Sequence, residues 1–191
     1  MSRRRSGGTL PLLVALGVAA VLWSRLVADP AAADTTGDTT TAGPVAAGPA
    51  VADIPASYLA LYRRAGGTCP GLDWALLAGV GKVETDHGRA ALPGVRSGAN
   101  FAGASGPMQF LAGTWREVRA NHPEIGPNVY DPAAAIPGAA QYLCDQGLRD
   151  GRGVRAALWG YNHSSAYADD VLRHAARYRA SASAAALAVA S

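Results

Sequence analysis

Apolar residues recur at helical spacing through the middle of the chain, and turn-forming residues interrupt them at regular intervals. "PASYLALYRRAGG" predicts a short helix stopped by Gly66 and Gly67. "GLDWALLAGVGKVETDHG" predicts a second, capped by Asp73 and stopped at Gly88. "SGPMQFLAGTWREVRANHP" predicts a third, opening at Ser105 with Pro107 in its first turn and ending before Pro123. "YDPAAAIPGAAQYLCDQG" places Asp131 as cap, Pro132 at the first position and Gly147 past the end, and Pro137 inside it predicts a kink or a break. "GRGVRAALWGYN" and "SSAYADDVLRHAARYR" complete the set. Runs of β-branched residues with period two are missing, so the expected fold class is all-α, with little or no sheet. Residues 88–104, "GRAALPGVRSGANFAGA", read as a glycine-rich loop long enough to be functional.

The second helix is the unusual one. Leu77, Val80, Gly81 and Glu84 share one stripe, flanked by Leu76 and Val83, so most of the cylinder is apolar and the helix is expected to be central. Gly79 and Gly81 each cost about 1 kcal/mol relative to alanine, which is tolerated where a backbone or a ligand comes close. Lys82 and Asp86, four apart, form an ordinary surface pair. Glu84 has no such explanation. A carboxyl withdrawn from water has its ionised form disfavoured and becomes a proton donor near neutral pH, the state that a general acid for glycosidic cleavage needs. The competing reading pairs Glu84 with Arg89 or Arg96 in the following loop.

Outside this middle region the pattern changes. "SRRR" followed by "TLPLLVALGVAAVLW" reads as an export segment over residues 1–33, either a signal peptide cleaved near Ala31-Ala32-Ala33 or a retained membrane anchor with Arg25 at the interface. Either way the domain is expected outside the cytoplasm. Residues 34–52 form an Ala/Thr/Gly/Pro-rich linker, the folded domain spans 53–180, and 181–191, "SASAAALAVAS", is a flexible tail or a frayed helix extension.

Charge and cysteines narrow the functions. Of the 17 basic and 14 acidic residues, Arg3, Arg4, Arg5, Arg25 and Asp29 lie at the N-terminus and account for the net +3; the rest balance. No basic footprint for nucleic acid is left. In an oxidising compartment Cys69 and Cys144 are expected to pair, the alternative being two buried thiols. Two cysteines and the scattered His87, His122, His163 and His174 offer no metal spacing, and no cofactor is expected. His87 and His122 are expected on the surface, and Trp74, Trp115 and Trp159 in the core. "GASGP" is not a nucleophile elbow, because Gly106 comes one residue early, and "GVGK" is not a phosphate loop.

Four blocks, in order, resemble the soluble-type lytic transglycosylases, which share the goose-type lysozyme fold. "GKVETDHGR" is similar to that family's Glu-Ser motif, with Glu84-Thr85 in its place. "GASGPMQFLAGTW" is similar to its Gly-Leu-Met-Gln motif, here Gly106-Pro107-Met108-Gln109, and "LWGYNHS" to its Ala-Tyr-Asn motif, here Gly160-Tyr161-Asn162. "YDPAAAIPGAAQYLC" resembles the helix between them. The set covers residues 70–172. Thr85 keeps the hydroxyl of the serine it replaces, Pro107 suits a first helical turn, and Gly160 in place of alanine is expected to loosen a helix end.

The resemblance implies a mostly helical lysozyme-like domain acting on peptidoglycan glycan strands. The family cleaves the β-1,4 bond between N-acetylmuramic acid and N-acetylglucosamine. Glu84 would protonate the leaving oxygen and then, as carboxylate, take the proton of the muramoyl 6-hydroxyl as that oxygen closes on C1, giving a 1,6-anhydro sugar without consuming water. Asp86, Glu117, Glu124 and Asp131 have other roles, which suits a single-carboxylate plan. Thr85, Gln109, Tyr161 and Asn162 would line the cleft, with Tyr161 near the carboxyl. Phe101 and Met108 are candidates for apolar walls against sugar faces, although Met108 also suits the core, and Tyr167 would reach the cleft from the last helix. The enzyme is expected to work as a monomer. The other readings are a hydrolytic lysozyme on the same fold and a non-catalytic peptidoglycan-binding protein.

Overall fold

A computed structural model of the chain describes residues 49–149 and 153–190. The expected export segment and all of the linker before Pro49 lie outside the described residues. The fold is mostly helical, with one very small sheet. Among the described residues seven α-helices run in the order α1 (Pro49–Ala52), α2 (Ala56–Ala65), α3 (Trp74–Thr85), α4 (Ala112–Asn121), α5 (Pro132–Leu143), α6 (Val154–Asn162) and α7 (Ser165–Ala190). Between α3 and α4 lie two antiparallel strands, β1 (Ala104–Ser105) and β2 (Phe110–Leu111). Among the described residues no helix is long and apolar enough to cross a membrane.

The core forms around α3, as its nearly all-round apolar pattern predicts. Ala75 through Gly81 are buried without interruption. Asp73 starts the helix by accepting from the Leu76 N–H at 2.8 Å. α3 packs most extensively against α7, and α2 packs against both α3 and α5. The two α3 glycines are contact sites. A Cβ at Gly79 would stand 2.6 Å from the Val171 carbonyl oxygen of α7, and one at Gly81 would collide with the Tyr62 hydroxyl of α2. The neighbours that the glycines admit are therefore a backbone and a tyrosine, both parts of the protein itself.

Two expectations about elements are corrected. No helix opens at Ser105. Residues 104–111 form a hairpin instead, because Gly106 and Gln109 take positive φ (79° and 49°), which a right-handed helix forbids. α4 begins only at Ala112. α5 is not broken at Pro137: the helix continues through the proline at its middle, at the loss of a single backbone bond. The helix changes character further on, where Cys144–Leu148 form a π-helical turn ending around Gly147. Helix is present on both sides of the expected domain bounds of 53–180, and on the C-terminal side this is the helix extension that the sequence allows. Val51 of α1 is buried and its N–H donates to the Ser181 Oγ at 3.3 Å, while α7 continues as helix through the segment read as a tail.

Cys69 and Cys144 form a disulfide that joins the turn after α2 to the start of the π-helical turn. Trp115 lies in the core and Trp74 is half-buried with Arg63 over its ring, but Trp159 is 49% exposed. It stands two positions before Tyr161 on α6, so it points away from the side that packs inward. α6 runs on through Gly160, whose carbonyl accepts from the Tyr142 hydroxyl, so the expected loosening is not seen.

The contact at Gly79 gives a sign-reversing test. Gly79→Ala raises intrinsic helix propensity by about 1 kcal/mol, yet it forces the new methyl against α7. Urea denaturation should show a net loss of about 1–3 kcal/mol.

Candidate active site

Glu84 lies in the last turn of α3 and is partly buried. Its carboxylate Oε1 accepts one hydrogen bond, from the Tyr167 hydroxyl of α7 at 2.7 Å. Neither arginine considered as its partner pairs with it: Arg89 is engaged by Asp53 and Asp86 (2.9 and 2.7 Å). Loss of solvent pushes the Glu84 carboxyl from 4.5 up to about 7, against the Tyr167 hydrogen bond, which pulls it down. No acidic or cationic side chain among the described residues contributes to the shift. The last turn of a helix, where carbonyls are left unpaired, also disfavours a negative charge. Burial and the neighbouring carboxyl hold the Tyr167 hydroxyl well above the usual tyrosine range, so it remains a donor.

Tyr161 lies parallel to Tyr167, with ring centroids 6.3 Å apart and planes 7° apart. Its hydroxyl donates to the Met108 carbonyl at 2.8 Å and not to Glu84. Tyr161 also meets Phe110 and Tyr142, so an aromatic cluster joins α5, α6, α7 and the hairpin beside the carboxyl. The sequence-derived set therefore divides. Glu84, Tyr161 and Tyr167 come together. Thr85 is buried with its hydroxyl fully used: it donates to the Pro107 carbonyl at 2.7 Å and accepts from the Gly88 N–H at 2.8 Å. The Met108 side chain is fully buried, which gives it a core role and excludes it from a sugar-facing wall. Gln109 is in the hairpin turn rather than one turn into a helix. Its Nε2 donates to the Gly106 carbonyl and its Oε1 accepts from Asn100 Nδ2 at 2.9 Å. Asn162 ends α6, half-buried, and Phe101 stands 84% exposed in the 88–103 loop.

The turn that follows Glu84 is held from several directions. Asp86, His87 and Gly88 all have positive φ (50°, 57° and 74°), a costly conformation for the first two. Asp86 is clamped by Lys82 and Arg89, and both cations also bind Asp53 at the end of α1. His87, expected on the surface, is instead only 1% exposed. Its Nδ1 shares a hydrogen bond with the Tyr62 hydroxyl at 3.1 Å, and its Nε2 with the Tyr178 hydroxyl at 3.0 Å. Burial, aided by Lys82, lowers its pKa from 6.5 to about 4, so the imidazole is neutral. No spacing rule in the sequence could place a histidine between tyrosines from two distant helices. Asp53, Asp86 and His87 bring possible metal-ligand atoms within 4.8 Å of one another. Their donors are already committed, to two cations and two tyrosines.

Two small depressions, of about 230 and 210 Å³, lie elsewhere on the surface, one lined by Arg64, Glu124 and Gln141 and the other by Pro70, Leu148 and Val154. Neither includes Glu84. Glu117 and Glu124 are exposed, and Asp131 caps α5 by accepting from the Ala133 N–H. Comparison of the chain with protein-family models, with characterised proteins and with solved structures finds no match.

The two shifted groups act on stability with opposite signs. Folded Glu84 holds a proton that the unfolded chain releases above pH 4.5. Its contribution is whole below 4.5 and is lost as pH rises through about 7. Folded His87 resists a proton that the unfolded chain takes up below 6.5. Its contribution is whole above 6.5 and is lost as pH falls through about 4. Glu84→Gln removes the first effect alone. Urea denaturation should show the variant more stable than wild type at pH 8, by about 3 kcal/mol at most, and equal to it below pH 4.5.

Proposed function

We propose that this protein is a peptidoglycan lytic transglycosylase, with Glu84 as its general acid and then its general base. The observation that carries the reading is the state of Glu84: a partly buried carboxyl, free of any cation, held by one tyrosine hydroxyl and titrating at about 7. Near neutral pH it is divided between protonated and ionised forms, so it can give a proton to a leaving glycosidic oxygen and then accept one. The order of the Glu84-Thr85, Met108-Gln109 and Tyr161-Asn162 blocks supports the same reading.

The proposed reaction assigns both proton transfers to Glu84. Protonated Glu84 donates to the oxygen between N-acetylmuramic acid and N-acetylglucosamine as the C1–O bond breaks. The resulting carboxylate takes the proton of the muramoyl 6-hydroxyl while that oxygen bonds to C1. Tyr167 donates to the carboxylate and steadies its ionised form between the two steps. Asp86 is paired with Lys82 and Arg89 and Asp131 caps α5, which suits a single-carboxylate course rather than one in which a second carboxylate activates water. The domain works in the cell envelope or outside the cell as a monomer on glycan strands. The disulfide supports an oxidising location.

Mass spectrometry of digested peptidoglycan tests the proposal. Wild type should release anhydro-ended fragments, each lighter by one water than the products of hydrolysis. Glu84→Gln should keep the fold and lose activity by about 10²–10⁴-fold. Reducing-end products would make the protein a hydrolytic lysozyme, and binding without release would make it a peptidoglycan-binding protein. A further prediction concerns pH. Tyr167→Phe removes the bond that lowers the Glu84 pKa, so the alkaline limb of the pH–rate profile should move upward while turnover falls.

A further inference from the structure

His87 is the buried titratable group that the proposed chemistry leaves unused. It stands three residues after Glu84, in a left-handed turn at a helix end, where a polar residue ordinarily meets solvent. Here the turn carries the ring inward. Tyr58 and Tyr62 of α2 and Tyr178 of α7 surround it, with ring centroids 6.5, 5.7 and 6.0 Å away. Two of them hold it through their hydroxyls, Tyr62 at Nδ1 and Tyr178 at Nε2 (3.1 and 3.0 Å). A neutral imidazole has one donor nitrogen and one acceptor nitrogen, and a hydroxyl can answer either. A ring nitrogen also lies within 4.8 Å of carboxylate oxygens of Asp53 and Asp86, but Lys82 and Arg89 already pair those carboxylates. The ring is therefore held by hydroxyls and not by a charge.

Two routes lead from this ring to Glu84. The first runs through α3 itself. The His87 N–H closes the helix on the Gly81 carbonyl at 2.8 Å, and Glu84 lies inside the turn so closed. A side chain at Gly81 would collide with the Tyr62 hydroxyl, so the same glycine accepts the His87 backbone and admits the tyrosine that binds the His87 ring. The second route runs through α7. Tyr167 and Tyr178 are eleven residues apart, about three helical turns, and so lie on one face of that helix. Whatever fixes Tyr178 along and around the α7 axis also fixes the Tyr167 hydroxyl that donates to Glu84.

We propose that His87 is a positioning residue for Glu84: by bridging the Tyr62 and Tyr178 hydroxyls it fixes the end of α3 against α7 at the register in which Tyr167 reaches the carboxyl. Its buried ring acts only through the two helices that it joins. The consequence for turnover rests on the reading of Glu84 as the general acid, whereas the coupling of His87 to the Glu84–Tyr167 bond does not.

The test is a double-mutant cycle on the full chain, read by carboxyl NMR of isotope-labelled glutamate, of which the chain has only Glu84, Glu117 and Glu124. Tyr167→Phe removes the bond that lowers the Glu84 pKa, so alone it should raise the Glu84 midpoint above about 7. In a His87→Phe background that bond is already loosened, and Tyr167→Phe should move the midpoint by less than about half as much. Tyr178→Phe keeps the imidazole and deletes one hydroxyl. It should blunt the shift in the same way, and it carries the test alone if His87→Phe does not fold. Val118→Ala, a core truncation in α4, should lower thermal stability and leave the shift whole. An undiminished shift in a folded His87→Phe or Tyr178→Phe background overturns the proposal, as does equal blunting by Val118→Ala or the absence of any shift in wild type. The proposed activity is judged separately, by whether wild type releases anhydro-ended fragments.

Discussion

The proposed chemistry of this domain depends on withholding water from one carboxyl. Glu84 sits at the end of the heavily buried α3, and among the described residues its single partner is a hydroxyl that cannot neutralise it by charge. A guanidinium in the place of Tyr167 would hold the group ionised, and full solvation would return it to the ordinary range. The nearby cations are withdrawn from it. Lys82 and Arg89 are both occupied by Asp53 and Asp86, so the same ion pairs that brace the turn leave the carboxyl uncompensated.

α7 is the element that makes this arrangement rigid. Tyr167 reaches Glu84 from near its start, and Tyr178, three turns later, reaches His87. One helix thus grips the end of α3 on both sides of a left-handed turn. Gly79 allows the two helices to approach closely enough for both contacts. Thr85 adds a third hold by tying the same turn to the hairpin through Pro107.

Much of this was legible in the chain and some was not. The all-round apolar character of 74–83 announced a central helix, and Asp73, Gly66 and Pro132 marked element ends by local chemistry that tertiary contacts did not override. Glu84 stood out because its stripe was apolar. The hairpin is not legible locally, because "SGP" satisfies both a helix start and a tight turn, and only the positive φ at Gly106 and Gln109 separates them. The burial of His87 is not legible locally because it is decided by partners far along the chain, tyrosines 25 and 91 residues away. Tyr167, expected to reach the cleft from the last helix, is the direct partner of Glu84 across 83 residues of sequence, a separation that no spacing rule covers.

The disulfide has a topological effect as well as an energetic one. By joining Cys69 to Cys144 it encloses α3, the glycine-rich loop, the hairpin, α4 and α5 in one covalent ring. A protease that nicks the exposed loop beside Phe101 opens that ring without releasing either piece, so Glu84 and the hairpin stay tethered through the bridge. α6 and α7 lie outside the ring. A single cut between Cys144 and Tyr167 severs every covalent route from Glu84 to its hydroxyl donor, and only packing then keeps the two together.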